Sequence, residues 1–232
     1  MKIKVFQIVS ERDKRSVKFA GLEEMKKYQV SDKVNAALYE EVFDGDVDRD
    51  TLEGVYELLN TDHPPLYRGH SMSVSDVVKT EDGFFYCDRY GFKKIDFDES
   101  FATKPKDLLR IVFVEPGKPA YAAEIENSLR AEQRAVGGMI EVVSNGDGTL
   151  IVCNEEGKLI GLPANRRIAG GADILVGNFF VIGEDGADFR SLTDEEVQKY
   201  SALFAEPEEI ADEEVEASIY AKFIPEIGRA HV

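Results

Sequence analysis

The chain breaks once, at residues 98–107, DESFATKPKD, and that break decides its architecture. The stretch is mostly polar and carries Pro105, so it suits neither a core strand nor a helix interior. A complete hydrophobic pattern of strands and helices runs on each side of it. For 232 residues the soft expectation is one large domain or two small ones, and the break selects two. The expected fold is α+β: two small mixed α/β-sheet domains in tandem, followed by a partly helical acidic C-terminal tail. Their bounds are 1–99 for the first domain, 100–107 for a linker, 108–205 for the second domain and 206–232 for the tail.

Periodicity supplies the elements. IKVFQIV (3–9) is β-branched and aromatic, the composition of a strand. GLEEMKKYQ (21–29) puts Leu22, Met25 and Tyr28 on one helical face. Asp50 and Glu53 have capping-box spacing, and Leu52, Val55, Tyr56 and Leu59 follow at helical intervals. GFFYCDRYGFKKIDF (83–97) predicts a hairpin turning near Asp88–Gly91. Beyond the break, LLRIVFVEPG (108–117) predicts a strand, and residues 121–136 a helix closed by Gly137-Gly138. Residues 139–161 predict strand, tight turn and strand around Asn145-Gly146 and Asp147-Gly148. A strand over 172–186, bent at Gly177, and a helix opened by the Thr193–Glu196 capping box complete this half. In the tail, EEIADEEVEASIYAKF predicts a helix burying Ile210, Val215, Ile219 and Phe223.

Charge excludes some partners. The formal net charge is −17, and the last 27 residues alone hold eight acidic side chains against two basic ones. Such a chain is repelled by phosphate backbones and by anionic membrane surfaces. No stretch approaches the roughly 20 apolar residues of a membrane helix. The opening MKIKVFQIVSERDK is interrupted by Lys4 and lacks a small-residue cleavage site, so it reads as a strand and the protein as cytoplasmic. Cys87 and Cys153 have apolar or aromatic neighbours and are expected as buried free thiols.

Two stretches carry family resemblances. DHPPLYRGHSMSVSDVV (62–78) resembles the signature of the YodL-like domain over about 2–99. VEPGKPAY (114–121), AVGGMIEVV (135–143) and CNEEGKLIGLPANR (153–166) resemble, over about 108–205, an uncharacterised domain-of-unknown-function family of phages, plasmids and conjugative elements. Neither resemblance brings a catalytic residue list. Both imply a mobile-element setting, in which some domain families accompany antirestriction proteins; host defence enters by that analogy.

Each candidate chemistry has a structural alternative. Asp44, Asp46 and Asp48 start like a calcium loop, but Arg49 stands where glycine is needed and Val55 where a bidentate glutamate is needed. A solvated acidic loop is the expectation there. Asp62, His63, His70 and Asp76 could supply zinc ligands or an acid–base pair, yet their spacing matches no ligand pattern. The structural alternative has the prolines fixing an extended entry, Gly69 permitting a turn, and Ser73 or Ser75 capping a short helix or turn before Val77. Lys158 lies in a turn, and Asn165, Arg166 and Arg167 form the densest positive charge of the second half. They could hold a carboxylate or phosphate; the alternative is an internal ion pair with Glu155, Glu156 or the tail. The candidate contact residues are therefore His63, Arg68, His70, Ser73, Asp76, Lys158, Asn165, Arg166 and Arg167, with no metal and no cofactor expected.

The functional expectation is a non-enzymatic accessory protein of a mobile element. It would act by contact with a host or element-encoded protein, one with a basic nucleic-acid-binding face, and not on nucleic acid or membrane. The alternative is a small-molecule or nucleotide-binding enzyme domain with its site in loop 62–76 or 155–167.

Overall fold

A computed structural model describes residues 1–29, 31–105, 107–171 and 173–223. The chain divides into two units, Met1–Lys106 and Asp107–Val232, and both are α+β.

In the first unit β1 (Lys2–Ile8) is buried on both faces from Val5 to Ile8, so apolar side chains there point both ways, with Lys2 and Lys4 at its less buried start. α1 (Leu22–Gln29) covers one face of the sheet and α2 (Leu52–Thr61) the other. Phe6 and Val77 pack with Met25 of α1, while Val5 and Val78 pack with Val55 and Leu59 of α2. The strand alternation of two residues sorts the side chains between these cores. β2 (Tyr39–Asp46), β3 (Val77–Thr80), β4 (Gly83–Cys87) and β5 (Phe92–Ile95) complete an antiparallel sheet in the order β2-β1-β3-β4-β5.

Four expectations change here. The acidic loop at 44–50 is partly strand, since Asp44 and Asp46 close β2 opposite Lys4 and Lys2. The N-cap of α2 is Thr51, one residue later than the Asp50 spacing suggests; its hydroxyl accepts the Gly54 N–H. Of the short helix or turn expected before Val77, the turn forms, with the Asp76 N–H on Ser73 O. The hydroxyls of Ser73 and Ser75 serve Ser71 O and Phe19 N and cap no helix, and Val77 and Val78 open a strand paired with β1. The expected linker, 100–107, is not a free connection over its first part. Thr103 lies along β2, donating its N–H to Tyr39 O and accepting from Glu41 N, while its hydroxyl accepts from Arg12. An open strand edge leaves backbone donors and acceptors unpaired, and Thr103 satisfies two of them.

The second unit centres on β12 (Phe179–Asp185). β6 (Leu108–Val114), β7 (Tyr121–Glu126), β8 (Ile140–Ser144) and β9 (Thr149–Asn154) join it in the order β7-β6-β12-β9-β8, and β13 (Asp188–Arg190) pairs with β12. β10 (Ala164–Ile168) and β11 (Asp173–Val176) form a separate two-stranded sheet. α3 (Leu129–Val136) packs Ala131, Ala135 and Val136 inward and meets β7, β9 and β12. α4 (Asp194–Leu203) supplies Val197 and Tyr200 to the core containing Val112, Val181 and Phe179. α5 (Asp212–Phe223) follows.

The capping box of α4 forms as the sequence predicts. Gly137, left-handed at φ 75°, closes α3. The helix expected over 121–136 splits: its first half pairs with β6, residue for residue from Leu108↔Glu126 to Phe113↔Tyr121. Ser128 then caps the true helix, and Leu129, read as apolar face, is 56% exposed. The strand over 172–186 is two strands in different sheets, parted at Gly177 with φ 65°. Of the tail residues expected to be buried, Ile210, Val215 and Ile219 are only half-buried, and the side chain of Phe223 lies outside the described residues. Cys87 and Cys153 are buried free thiols. Among the described residues, no helix is long and apolar enough to cross a membrane.

Candidate functional site

The signature loop of the first unit is organised around Gln7, a residue of β1 that is 4% exposed. Gln7 continues the face of Ile3 and Val5, so its amide is carried into the core side of the sheet. A buried amide there needs partners, and loop 62–76 provides them. Gln7 Oε1 accepts the His70 N–H at 2.9 Å. Gln7 Nε2 lies 2.9 Å from His70 O, 3.0 Å from Tyr67 Oη and 2.9 Å from Asp76 Oδ2. Two amide hydrogens are thus shared among three oxygens. Tyr67, fully buried, donates its hydroxyl to His70 O at 2.6 Å. Gly69 makes the approach feasible: a Cβ there would stand 2.4 Å from Gln7 Oε1 and 2.9 Å from Tyr67 Oη.

Asp76 is the chemically sensitive member. It is 1% exposed, and burial pushes its carboxyl up to about 7, against the opposing pull of the Ser73 N–H and the Gln7 amide. Its Oδ2 accepts from Ser73 N at 2.8 Å. Burial and the neighbouring Asp76 charge raise the Tyr67 phenol. Burial likewise takes the Cys87 thiol up to about 12, far from a nucleophilic thiolate. Ser75 sits beside Asp76 with φ 85° and no exposed surface. Its hydroxyl accepts the Phe19 N–H, its carbonyl accepts the Tyr39 hydroxyl, and its N–H donates to Cys87 O.

The five candidates of this loop are therefore only partly brought together. His70, Ser73 and Asp76 meet through Gln7 or through backbone groups. His63 stands apart: its ring stacks on Tyr67 at 4.8 Å, and its Nε2 lies 2.8 Å from Leu59 O at the end of α2. Arg68 faces β2, donating its backbone N–H to Val42 O. The arrangement fastens the loop to β1, and it holds one carboxyl able to change charge near neutral pH.

In the second unit the sequence places Asn165, Arg166 and Arg167 in a polar loop; the structure makes them part of β10. Alternation then sends neighbours to different sides. Asn165 and Arg166 are buried at a register shift in the pairing with β11, while Arg167 is half-buried. Asn165 donates to Val114 O and Gly177 O. Arg166 donates to Asn165 Oδ1 and O, to Lys118 O at 2.7 Å and to Phe204 O at 3.0 Å. Phe204 is the C-cap of α4, so the guanidinium meets the partially negative end of that helix. Burial lowers the guanidinium pKa, with Glu208 acting in opposition.

Arg167 and Lys158 face the chain's own C-terminal segment. Arg167 pairs with Glu208 at 2.8 Å and Glu214 at 2.7 Å. Lys158 pairs with Asp173 and donates to Ser218. Of the ion-pair partners expected for the two arginines, Arg167 uses the tail, and among the described residues neither pairs with Glu155 or Glu156. Among the described residues, no group of three or more His, Cys, Asp or Glu could hold a metal ion.

Gln7, Tyr67 and Ser75 were not legible as site residues from their spacing. Gln7 did carry a signal, as a polar residue on the strand face otherwise held by Ile3 and Val5.

Residues 2–97 match the YodL-like domain, and residues 109–205 match a domain of unknown function, DUF3846. No curated protein and no solved structure matches the chain.

Proposed function

We propose that this tandem of a YodL-like domain and a domain of unknown function is a non-enzymatic accessory protein of a mobile genetic element, acting in the cytoplasm by protein–protein contact. One observation carries the reading. The positive side chains of the second unit's candidate site are spent internally, Arg167 on Glu208 and Glu214 and Lys158 on Asp173. Glu206, Glu209, Asp212, Glu213 and Glu216 are left exposed, and among the described residues they make no ion pair. In a chain of net charge −17 this is a concentrated acidic face. Such a face suits a host or element-encoded protein with a basic nucleic-acid-binding surface, which it would occupy in place of DNA. Countering host defence is the role that fits this mode of binding and the mobile-element setting.

Capture from host lysate with the full chain, followed by association kinetics at two salt concentrations, tests it. The expected result is a partner whose association slows with salt and slows further in Glu213→Lys/Glu216→Lys. Equal association rates for both proteins at both salt concentrations would overturn it.

A second reading, a small-molecule or nucleotide-binding enzyme domain, is favoured by one feature, the Asp76 carboxyl near 7 within loop 62–76. A substrate whose turnover disappears in Asp76→Asn, in a variant that stays folded, would replace the first reading with this one.

A further inference from the structure

Four cationic side chains of the first unit, Arg12, Lys14, Arg15 and Lys33, line one cleft. β1 ends in a single 3-10 turn, Ser10–Arg12, and Asp13 then folds the chain back on itself. The Asp13 carboxylate accepts the N–H groups of Val17 and Lys18, and Ser16 takes φ 52° to make the turn. This tight loop raises one wall of a cleft of about 500 Å³. The segment after α1 raises the opposite wall, and Val17, Val34 and Leu38 lie along its lining.

The lining is basic. Arg12, Lys14, Arg15 and Lys33 contribute four cations against one carboxylate, Asp13, whose oxygens already serve backbone amides. Arg12 is steadied by Thr103 Oγ1 at 2.7 Å, and Arg15 by Tyr28 O, leaving each guanidinium with further donors. Lys33 is paired with Asp96. Lys14 is exposed and has no partner among the described residues. The opposite wall holds an unsatisfied donor. Gln29 Oε1 accepts the Asn35 N–H, yet Gln29 Nε2 is enclosed and has no hydrogen-bond partner among the described residues. An enclosed amide donor without an acceptor is costly and uncommon in native proteins.

We propose that this cleft binds a small phosphate ester of about mononucleotide size. The volume falls within the range of small-molecule sites. A phosphate would meet Lys14, Arg12 and Arg15, since a guanidinium offers paired donors to phosphate oxygens. The organic part would rest on half-buried Leu38, above the buried Val17 and Val34, and a shift of the Gln29 side chain would bring its Nε2 to a ligand oxygen. A polynucleotide fits less well, because the excess negative charge of the whole chain repels an extended polyanion. The site is separate from the acidic face proposed above and stands or falls without it.

Calorimetry on the full chain tests this with AMP, phenyl phosphate and inorganic phosphate as probes. The expected result is one-to-one binding of AMP and phenyl phosphate, tighter than inorganic phosphate and weaker at higher salt. Lys14→Glu, at an exposed position that no fold contact uses, should weaken AMP by about tenfold. Gln29→Glu, which keeps an oxygen acceptor for the Asn35 N–H but replaces the Nε2 donor with a carboxylate oxygen, should weaken AMP by a similar factor, about tenfold. Failure of both organic phosphates to bind would overturn the proposal. So would binding that Lys14→Glu and Gln29→Glu leave unchanged, or equal affinity for inorganic phosphate and AMP. Binding of an acidic peptide in place of all three probes would overturn it in favour of a protein ligand.

Discussion

The two buried polar clusters, Gln7 with Asp76 in the first unit and Asn165 with Arg166 in the second, solve one problem in opposite ways. Each takes a side chain that can carry charge out of water and uses an adjacent amide to hold it. The Asp76 carboxyl can discharge itself by taking a proton, and its upward shift to about 7 says that it does so over much of the accessible pH range. A guanidinium has no such escape at any ordinary pH. Arg166 therefore needs acceptors wherever it goes, and it collects the carbonyls of Asn165, Lys118 and Phe204. The first cluster is tunable by pH, and the second is a fixed clamp across three segments of the chain.

The largest expected effect belongs to the clamp. Arg166→Ala removes donors from three backbone carbonyls and opens a void under β10. It should cost about 3–5 kcal/mol, read as a shift of the urea midpoint. Arg166→Lys should recover only part of this, because one ammonium cannot reproduce the planar fork. Full recovery by lysine would show that charge alone matters there, and the contrast with Asp76 would lose its basis.

Next comes Asp76 itself. Its ordinary value is 3.8 and its folded value about 7, so the folded protein holds the proton more tightly. The stability this contributes is fully present below pH 4 and is lost as pH rises toward 7, by up to about 4 kcal/mol. Asp76→Asn should flatten the stability curve across that window and leave the variant more stable than the parent at pH 8. Parallel curves for the two proteins would mean that the carboxyl is ionised in its native surroundings.

Gly69→Val should cost about 2–3 kcal/mol. The new Cβ would collide with Gln7 Oε1 and the Tyr67 hydroxyl, so the side-chain network must open or the loop must lift. A melt unchanged by this substitution would show that loop 62–76 gains nothing from its attachment to β1.

How much of this could be read from residues depends on where each partner lies in the chain. The α4 capping box is local: Thr193 and Glu196 satisfy each other within one turn, and four letters suffice to see it. Gly137 and the Asn145–Gly148 turn are equally local. The stretch 121–136 is not, because Ile125 and Leu129 suit a helix until β6 offers Ala122 and Ala123 a ladder. Two adjacent arginines suggest a solvated loop, and nothing near them in sequence reveals that Val114, Lys118 and Phe204 supply their surroundings. The signature loop was visible as a unit, but its centre, Gln7, lies more than fifty residues earlier. The polar break at 98–107 was visible too, although Thr103 pairing along β2 was not.

The smallest effect separates two serines that look alike in SMSVS. Ser73 contributes its backbone: its N–H donates to Asp76 Oδ2, and alanine provides the same N–H. Its hydroxyl only donates to Ser71 O at 3.2 Å, near solvent. Ser73→Ala should therefore cost well under about 1 kcal/mol. Ser75 contributes its side chain. Its hydroxyl accepts the Phe19 N–H at 3.0 Å in a buried site, so alanine strands a backbone donor there. Alanine also keeps the Cβ at φ 85°, a conformation strained for any residue but glycine, without the hydroxyl's hydrogen bond to offset it. Ser75→Ala should cost about 1–3 kcal/mol, while Ser75→Gly should recover part of that by relieving the backbone. Thermal melts of the three variants check the order. If Ser73→Ala proved the costlier change, the Asp76 carboxylate would have to draw on the Ser73 hydroxyl as well as its amide, and the first cluster would extend one residue farther toward the surface.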